Sequence, residues 1–330
     1  MRKTHNKDLR FIKEDWKGNP IDKDNRYTNL DGPSEKGFGD LMKWQLGKNK
    51  YAPQKKSQKT NVEVIKNKEF LSTEKDHFTW LGHATFLFQF KGVKIITDPI
   101  LDTIWPLKRY TELPCLPEEL KDIDIILLSH SHRDHADKKS MKQITLQNPN
   151  AIIYTGLGIG KLLRGWGIKN KIIEAGWYQE YPLFNDALKI QYLPAKHWNR
   201  RLIYDLNYML WGSFMIHFDD KSIYFGADSG QGSHFKEIGN LFDIDLTFLG
   251  IGAYEPIWFM HPSHTSPNDV LKVKEELNAN YLIPMHYGTF DLSDEPIYNP
   301  KVELEKLSKN RDDILITDIG QVNLLSFLFQ

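Results

Sequence analysis

A single cysteine, Cys115, stands among 330 residues. That excludes a disulfide within the chain and any metal site built on several thiolates. No run approaches the ~18–20 consecutive apolar residues that a membrane-spanning helix needs. The basic opening Met1-Arg2-Lys3-Thr4-His5-Asn6-Lys7 leads into no apolar stretch, which argues against a signal peptide. Net charge is also missing, with 43 Lys+Arg against 43 Asp+Glu, so no global field favours nucleic acid or membrane. A soluble cytoplasmic protein is the expectation, with peripheral membrane contact left open.

What is present is ordinary in bulk and uneven in detail. Hydrophobic residues make up 40% and charged residues 26%, enough for a sizeable globular core. Residues 1–75 hold 18 basic and 11 acidic side chains, a net +7, so the remainder carries −7. The leader has little periodic apolar content. It is expected to be a basic, irregular extension packed on the main domain, with a short helix near Phe38–Leu46 and loop from Lys48 to Lys59. Such a leader could touch an anionic surface, or it could be a solvated terminus. Residues 76–330 are expected to form one domain.

From Phe78 the texture changes to short apolar runs. Phe78–Leu81, Ala84–Phe90 and Val93–Thr97 predict strands, the last two joined by a Lys91-Gly92 turn. Strands are also predicted at Ile123–Leu128, Ala151–Thr155, Leu188–Leu193, Tyr208–Phe218, Ser222–Phe225, Leu246–Leu249, Tyr281–Pro284 and Ile314–Thr317. Helices are predicted at Lys138–Gln147, Ile159–Trp166, His234–Phe242, Pro267–Leu277 and Lys301–Lys309. Two successive β-rich, helix-punctuated halves predict an α/β fold in which two sheets pack face to face with helices outside.

The sharpest feature is Ser129-His130-Ser131-His132-Arg133-Asp134-His135. Four metal-capable side chains occupy six positions directly after a buried strand. In extended backbone, residues two apart point the same way, so His130 and His132 can face one cation. A turn toward the helix at Lys138 then swings Asp134 and His135 toward a second position. Imidazole and carboxylate both suit zinc. Three later residues each follow a strand: His197, Asp228 and His286. Each has a plainer reading as a packed or turn residue, Asp228 within Gly226-Ala227-Asp228-Ser229-Gly230 above all.

The set His130-x-His132-x-Asp134-His135, with His197, Asp228 and His286, resembles the metallo-β-lactamase superfamily. Within it the chain is most similar to the N-acylphosphatidylethanolamine-hydrolysing phospholipase D family. Stretches carrying that likeness are Trp80-Leu81-Gly82-His83-Ala84-Thr85, Thr97-Asp98-Pro99-Ile100, Ile251-Gly252-Ala253-Tyr254-Glu255-Pro256 and His286-Tyr287-Gly288-Thr289-Phe290. They lie between about residues 78 and 296. The resemblance implies the αβ/βα sandwich and two Zn2+ per chain. By it, His130, His132 and His197 hold one ion, Asp134, His135 and His286 the other, and Asp228 bridges both. It places a substrate-contacting, catalytic His at His264 and gives Asp98 and His83 roles in orienting the ligands. By the same resemblance, Asp134 and Asp228 are expected to be the catalytic carboxylates.

The activity implied is phospholipase D-type hydrolysis of a phospholipid phosphodiester. A hydroxide shared by the two ions attacks, releasing phosphatidic acid and an N-acylethanolamine. Arg133 stands where that family commonly carries Tyr; here it could grip a phosphate or point to solvent. Trp258 and Phe259 could line an acyl groove or anchor a loop. Two rival readings stay open: a zinc lactonase resembling the ascorbate-6-phosphate lactonases, and a non-catalytic metal-stabilised binding module. Nucleic acid is not an expected partner of the acidic body. A homodimer is left open.

Overall fold

The computed structural model describes residues 2–185, 188–202 and 204–328. Two mixed sheets form its frame. The first contains β1 (His77–Gly82), β2 (Thr85–Phe90), β3 (Val93–Thr97), β4 (Ile125–Leu128), β5 (Ile152–Gly156), β6 (Ile172–Ala175) and the short β13 (Asn323–Leu324). Its order is β13-β1-β2-β3-β4-β5-β6, antiparallel as far as β3 and parallel beyond. The second contains β7 (Gln179–Glu180), β8 (Leu188–Leu193), β9 (Ser213–Phe218), β10 (Lys221–Phe225), β11 (Leu246–Gly250) and β12 (Tyr281–Met285). Its order is β12-β11-β10-β9-β8-β7, parallel only from β10 to β12.

Alternation along the strands explains why the sheets stack. On β2, Phe86, Phe88 and Phe90 point into the space between the sheets. Phe86 and Phe88 meet Phe248 edge-on at 4.8 and 5.2 Å, and Phe90 stacks on Phe218 at 4.1 Å. The intervening Leu87, with Ile96, Ile126 and Leu128, packs on the opposite face. There it meets Met141 and Ile144 of α4 (Lys138–Gln147) and Ile159 and Leu163 of α5 (Ile159–Gly165). Period-two patterning thus supplies one face to the other sheet and one to helices. On the second sheet, α6 (Ser233–Leu241) and α8 (Pro267–Glu276) pack together, and α8 also meets α9 (Asn299–Leu307) and β11. Ser266 caps α8, its Oγ accepting from Asp269 N, as the sequence predicts.

The leader holds α1 (Phe38–Gln45), α2 (Ala52–Lys55) and α3 (Glu69–Ser72) and is otherwise irregular. So one short helical turn interrupts the loop expected from Lys48 to Lys59. The leader is tied down by Lys50 to Glu255 (2.7 Å), by Lys55 to Asp291 and by Trp177 N donating to Asn19 Oδ1 (2.9 Å).

Other differences have local causes. Ile314–Thr317 is not a strand. Backbone bonds from Leu282 N to Asp313 O and from Leu315 N to Leu282 O start a ladder on β12. Pro284 is the next residue on that edge and has no N–H to continue it. The strand expected over Tyr208–Phe218 begins only at Ser213. Its first part is held elsewhere, with Leu210 N bonded to Leu157 O. No described helix is long and apolar enough to cross a membrane.

Candidate metal centre

Strand ends on one edge of the sandwich carry the site. His130 follows β4, His197 follows β8, Asp228 follows β10 and His286 follows β12, while Asp98 follows β3 and His83 lies between β1 and β2. Five residues there, His83, Asp98, Ala227, Ala253 and His286, adopt left-handed φ between 32° and 63°. Non-glycine residues in that region cost about 1–3 kcal/mol each, so the surrounding packing holds the edge in strained loops. Gly252 shows how tight that packing is: a Cβ there would lie 2.2 Å from the His286 carbonyl oxygen.

The seven predicted ligand residues converge in two overlapping groups. In the first, His132 Nδ1 lies 3.0 Å from both His130 Nε2 and His197 Nε2. Asp228 Oδ2 is 3.9 Å from His130 Nε2 and 3.8 Å from His197 Nε2. In the second, His135 Nε2 lies 3.1 Å from Asp228 Oδ2 and 3.6 Å from Asp134 Oδ2. His286 Nε2 lies 3.1 Å from Asp228 Oδ1 and 3.5 Å from Asp134 Oδ2. Asp228 therefore lies between the two groups, with an oxygen within 4 Å of His130, His197, His135 and His286.

Neighbouring groups fix which ring nitrogen faces inward. His130 Nδ1–H donates to Ser129 Oγ (2.9 Å), His197 Nδ1–H to the Ser263 carbonyl (3.0 Å) and His135 Nδ1–H to Asp98 Oδ2 (2.8 Å). Each bond leaves Nε2 free toward the centre, the usual arrangement for a metal-binding imidazole. Asp98 also accepts from Ser129 N (2.7 Å) and Ser129 Oγ (2.6 Å). His83 Nε2–H donates to Asp134 Oδ2 at 3.1 Å. Both residues thus hydrogen-bond to candidate ligands, Asp98 to His135 and His83 to Asp134.

The buried atoms His135 Nε2, His286 Nε2 and Asp228 Oδ1 find no hydrogen-bond partner among the described residues. Buried polar atoms are nearly always satisfied. Several orphans at one point, all nitrogen or carboxylate oxygen, fit a pair of divalent cations.

Electrostatics divide the two groups. Burial pushes His132 down to about 4 and His130 and His197 well below the usual range. The first group is three neutral imidazoles with lone pairs available. In the second, burial opposes charge, yet Asp228 and Asp134 outweigh it, lifting His135 well above the usual range and His286 to about 9. Both carboxylates are held well below the usual range, burial being overcome chiefly by His135. Two protons thus balance two carboxylates where a cation would sit.

A cation entering the second group must expel those protons. Its apparent affinity should rise as pH climbs toward 9 and fall below neutrality, because each imidazole must be neutral to ligate. Calorimetric titration at pH 7 in buffers of differing ionisation enthalpy should register more than one proton released; zero release would contradict this charge balance.

The centre opens into a cavity of about 350 Å3. Asp134, Asp228, His132 and His264 lie at its inner end; Leu41, Trp44, Phe259, Met260 and Leu292 form an apolar wall. His264 Nδ1 is 3.8 Å from Asp228 Oδ2, and burial lowers its pKa to about 4. Arg133 is exposed and lines the cavity. Phe259 stacks on Trp44 at 4.9 Å. Trp258, expected beside Phe259 at the substrate, does not line this cavity and lies beneath Lys43 Nζ, 4.8 Å from its ring. The two sit in sequence on the short α7 (Ile257–Met260), where successive side chains diverge by about 100°.

Several supporting residues have no signal in the sequence. Asn29 Nδ2 and Ser34 Oγ donate to the His197 carbonyl at 2.8 and 2.6 Å, and His197 N donates to Asn29 Oδ1 at 3.1 Å. Arg201 Nη1 donates to the Ser131 and Ala136 carbonyls, at 2.9 and 2.5 Å, clamping both ends of the motif loop. Tyr192 Oη donates to the Ser129 carbonyl at 2.8 Å.

Comparison with known proteins agrees with this geometry. A family model described as the beta-lactamase superfamily domain matches residues 94–287. The chain is 34% identical over 261 residues to N-acyl-phosphatidylethanolamine-hydrolyzing phospholipase D 1 of Caenorhabditis elegans, covering 74% of this chain and 73% of that protein. It is 32% identical over 243 residues to the Saccharomyces cerevisiae protein named N-acyl-phosphatidylethanolamine-hydrolyzing phospholipase D, mitochondrial, covering 70% of this chain but 51% of that one. The chain thus spans about half the yeast relative. Among solved structures, the metallo-beta-lactamase fold protein YhfI of Bacillus subtilis superposes with a TM-score of 0.53 at 16% identity, covering 74% of this chain and 98% of that one. Sandwich, sequence match and paired His/Asp clusters suited to two metal ions place this chain in the metallo-β-lactamase superfamily of metal-dependent hydrolases.

Proposed function

We propose that the protein is a dinuclear zinc phosphodiesterase of phospholipase D type, acting on N-acylphosphatidylethanolamine-like phospholipids. The observation that carries this reading is a shared carboxylate, Asp228, joining two His/Asp groups at the inner end of a cavity with an apolar wall. His130, His132 and His197 would hold one zinc, Asp134, His135 and His286 the other, with Asp228 between them. Such a pair supplies a water nucleophile at neutral pH and offsets charge developing on phosphorus.

The chain's own groups do the rest. Asp98 holds His135, and His83 holds Asp134, in the orientations described. His264, neutral at pH 7, faces the substrate beside Asp228 and can hold a phosphoryl or leaving-group oxygen through its ring. Phe259 and Trp44 form the surface for an acyl chain, where each buried methylene is worth about 0.8 kcal/mol. Arg133 at the mouth can pair with phosphate.

The outer rim suits a lipid surface. Phe38 is 72% exposed and Leu46 80% exposed on and beside α1, next to Ile257 at 58% and Trp258 at 40%. Lys43 lies over the Trp258 ring at 4.8 Å, so an anionic interface would receive both kinds of contact.

Zinc-loaded protein incubated with mixed phospholipid vesicles should release phosphatidic acid and N-acylethanolamine, detected by mass spectrometry, with metal-stripped protein as the blank. A lactone substrate serves as the counter-test. Lactone turnover without any phosphodiester turnover would replace this reading by the lactonase one.

A further inference from the structure

Three cations line the cavity: Lys36 from the leader, Arg133 in the motif loop and Arg200 after β8. None has an ion pair or a side-chain hydrogen bond among the described residues. Other basic groups nearby are engaged. Lys50 is paired with Glu255, Lys55 with Asp291, and Arg201 donates to two backbone carbonyls. The cavity's own carboxylates, Asp134 and Asp228, are already committed to the centre.

The three are anchored close to that centre by chain and by contact. Arg133 lies between His132 and Asp134. Lys36 is two residues from Ser34, which bonds the His197 carbonyl. The Arg200 guanidinium lies over the Trp198 ring at 5.6 Å, and that ring stands edge-on to His132 at 4.5 Å. Arg200 is therefore one aromatic ring away from a metal-facing imidazole. An exposed lysine or arginine without a partner is commonplace. Three such cations lining one cavity, Arg133 exposed and Lys36 and Arg200 half-buried, leave an uncompensated positive field that a single phosphodiester anion, held at the centre, does not neutralise.

We propose that these three cations bind a second anionic group of the substrate, a carboxylate or a phosphate set a few atoms from the scissile phosphodiester. The inference rests on the phosphodiesterase reading above and narrows its substrate class. The preferred lipid carries two anions and no free ammonium, because an ammonium would face Lys36, Arg133 and Arg200. Planar guanidinium groups suit either oxyanion.

Head-group probes test binding apart from turnover. N-acetyl-O-phosphoserine and N-acetyl-O-phosphoethanolamine differ only in one carboxylate. Calorimetry on the metal-loaded full chain should find the first bound about tenfold more tightly, as expected for one charge-assisted contact. The double variant Lys36→Gln/Arg200→Gln should bring that ratio to about two or less. Lys309→Gln, an exposed lysine outside the cavity, removes a charge as a control and should leave the ratio in place.

In turnover, N-acylphosphatidylserine should be preferred to N-acylphosphatidylethanolamine if the second anion is a carboxylate. Phosphatidylinositol 4-phosphate should be preferred to phosphatidylinositol if it is a phosphate. Equal binding of the two head-group probes together with equal turnover of phosphatidylinositol 4-phosphate and phosphatidylinositol, or a ratio that the double variant leaves untouched, overturns the inference. A fall of the same size in Lys309→Gln overturns it as well. A binding ratio that stands in a protein cleaving no phosphodiester supports the anion subsite and removes only the phosphodiesterase reading.

Discussion

Asp228→Asn will lower turnover about a thousandfold and leave fewer than two metal ions per chain. The substitution keeps the side chain's size and removes its charge. Asp228 is 4% exposed, and its two oxygens stand 3.1 Å from His135 Nε2 and from His286 Nε2. His135 and His286 are the groups that overcome burial and keep this carboxyl ionised. An amide offers one acceptor oxygen, and its NH2 would face either a protonated imidazole or a cation. Removing one partner from a buried charge pair costs about 3–5 kcal/mol, and each 1.36 kcal/mol is tenfold in rate or affinity. Elemental analysis and steady-state kinetics on the same preparation check both halves. Two ions per chain with wild-type turnover would end the bridging assignment. Two ions with lost turnover would shift Asp228 from holding metal to handling a proton.

The clustering that makes Asp228 decisive was only partly visible in the chain. His130 to His135 could be read directly, since the four groups lie within six residues after the buried β4 and strand geometry alone points two of them together. Helices α4 and α8 were equally plain, one from its apolar spacing and the other from Ser266 as a cap. His197, Asp228 and His286 were readable only as residues following strands, and their convergence depends on which strands pair. Sheet order is a property of the whole sandwich, not of any segment. The edge of β12 shows the opposite failure. Ile314–Thr317 is apolar and short enough to be a strand, but whether it pairs is decided by a proline thirty residues earlier. The apolar run at Trp258-Phe259 is open to reading as acyl groove or loop anchor, and α7 divides it, with Phe259 at the cavity and Trp258 outside it. Asn29, Ser34 and Arg201 carried no signal at all. Their bonds reach 168, 163 and up to 70 residues along the chain, and polar residues in an irregular leader look the same whether they serve a site or solvent.

The double substitution Asn29→Ala/Ser34→Ala will lower metal affinity about a hundredfold while leaving the sandwich folded. Both residues lie in the leader, before the family match begins at residue 94, and both are buried. Together they make three hydrogen bonds to the backbone of His197, while the Ser263 carbonyl holds the ring Nδ1. Ser263 Oγ in turn donates to the Ser34 carbonyl at 3.1 Å, so one clamp from the leader fixes both the ligand loop and the loop that orients its ring. The alanines spare the bond to the Ser34 carbonyl but remove the three to His197, letting its Nε2 drift from the 3.0 Å approach to His132 Nδ1. Loss of groups that orient a ligand typically costs 10–100-fold in metal affinity. The alanines fill no core position between the sheets, so cooperative thermal unfolding should persist with a modest shift, while competition against a chelator shows weaker retention of metal. Unchanged chelator competition would mean that the leader is packed on the domain without serving its site. Weakened retention that excess zinc restores, together with turnover, would show that these first residues work by holding a ligand in place.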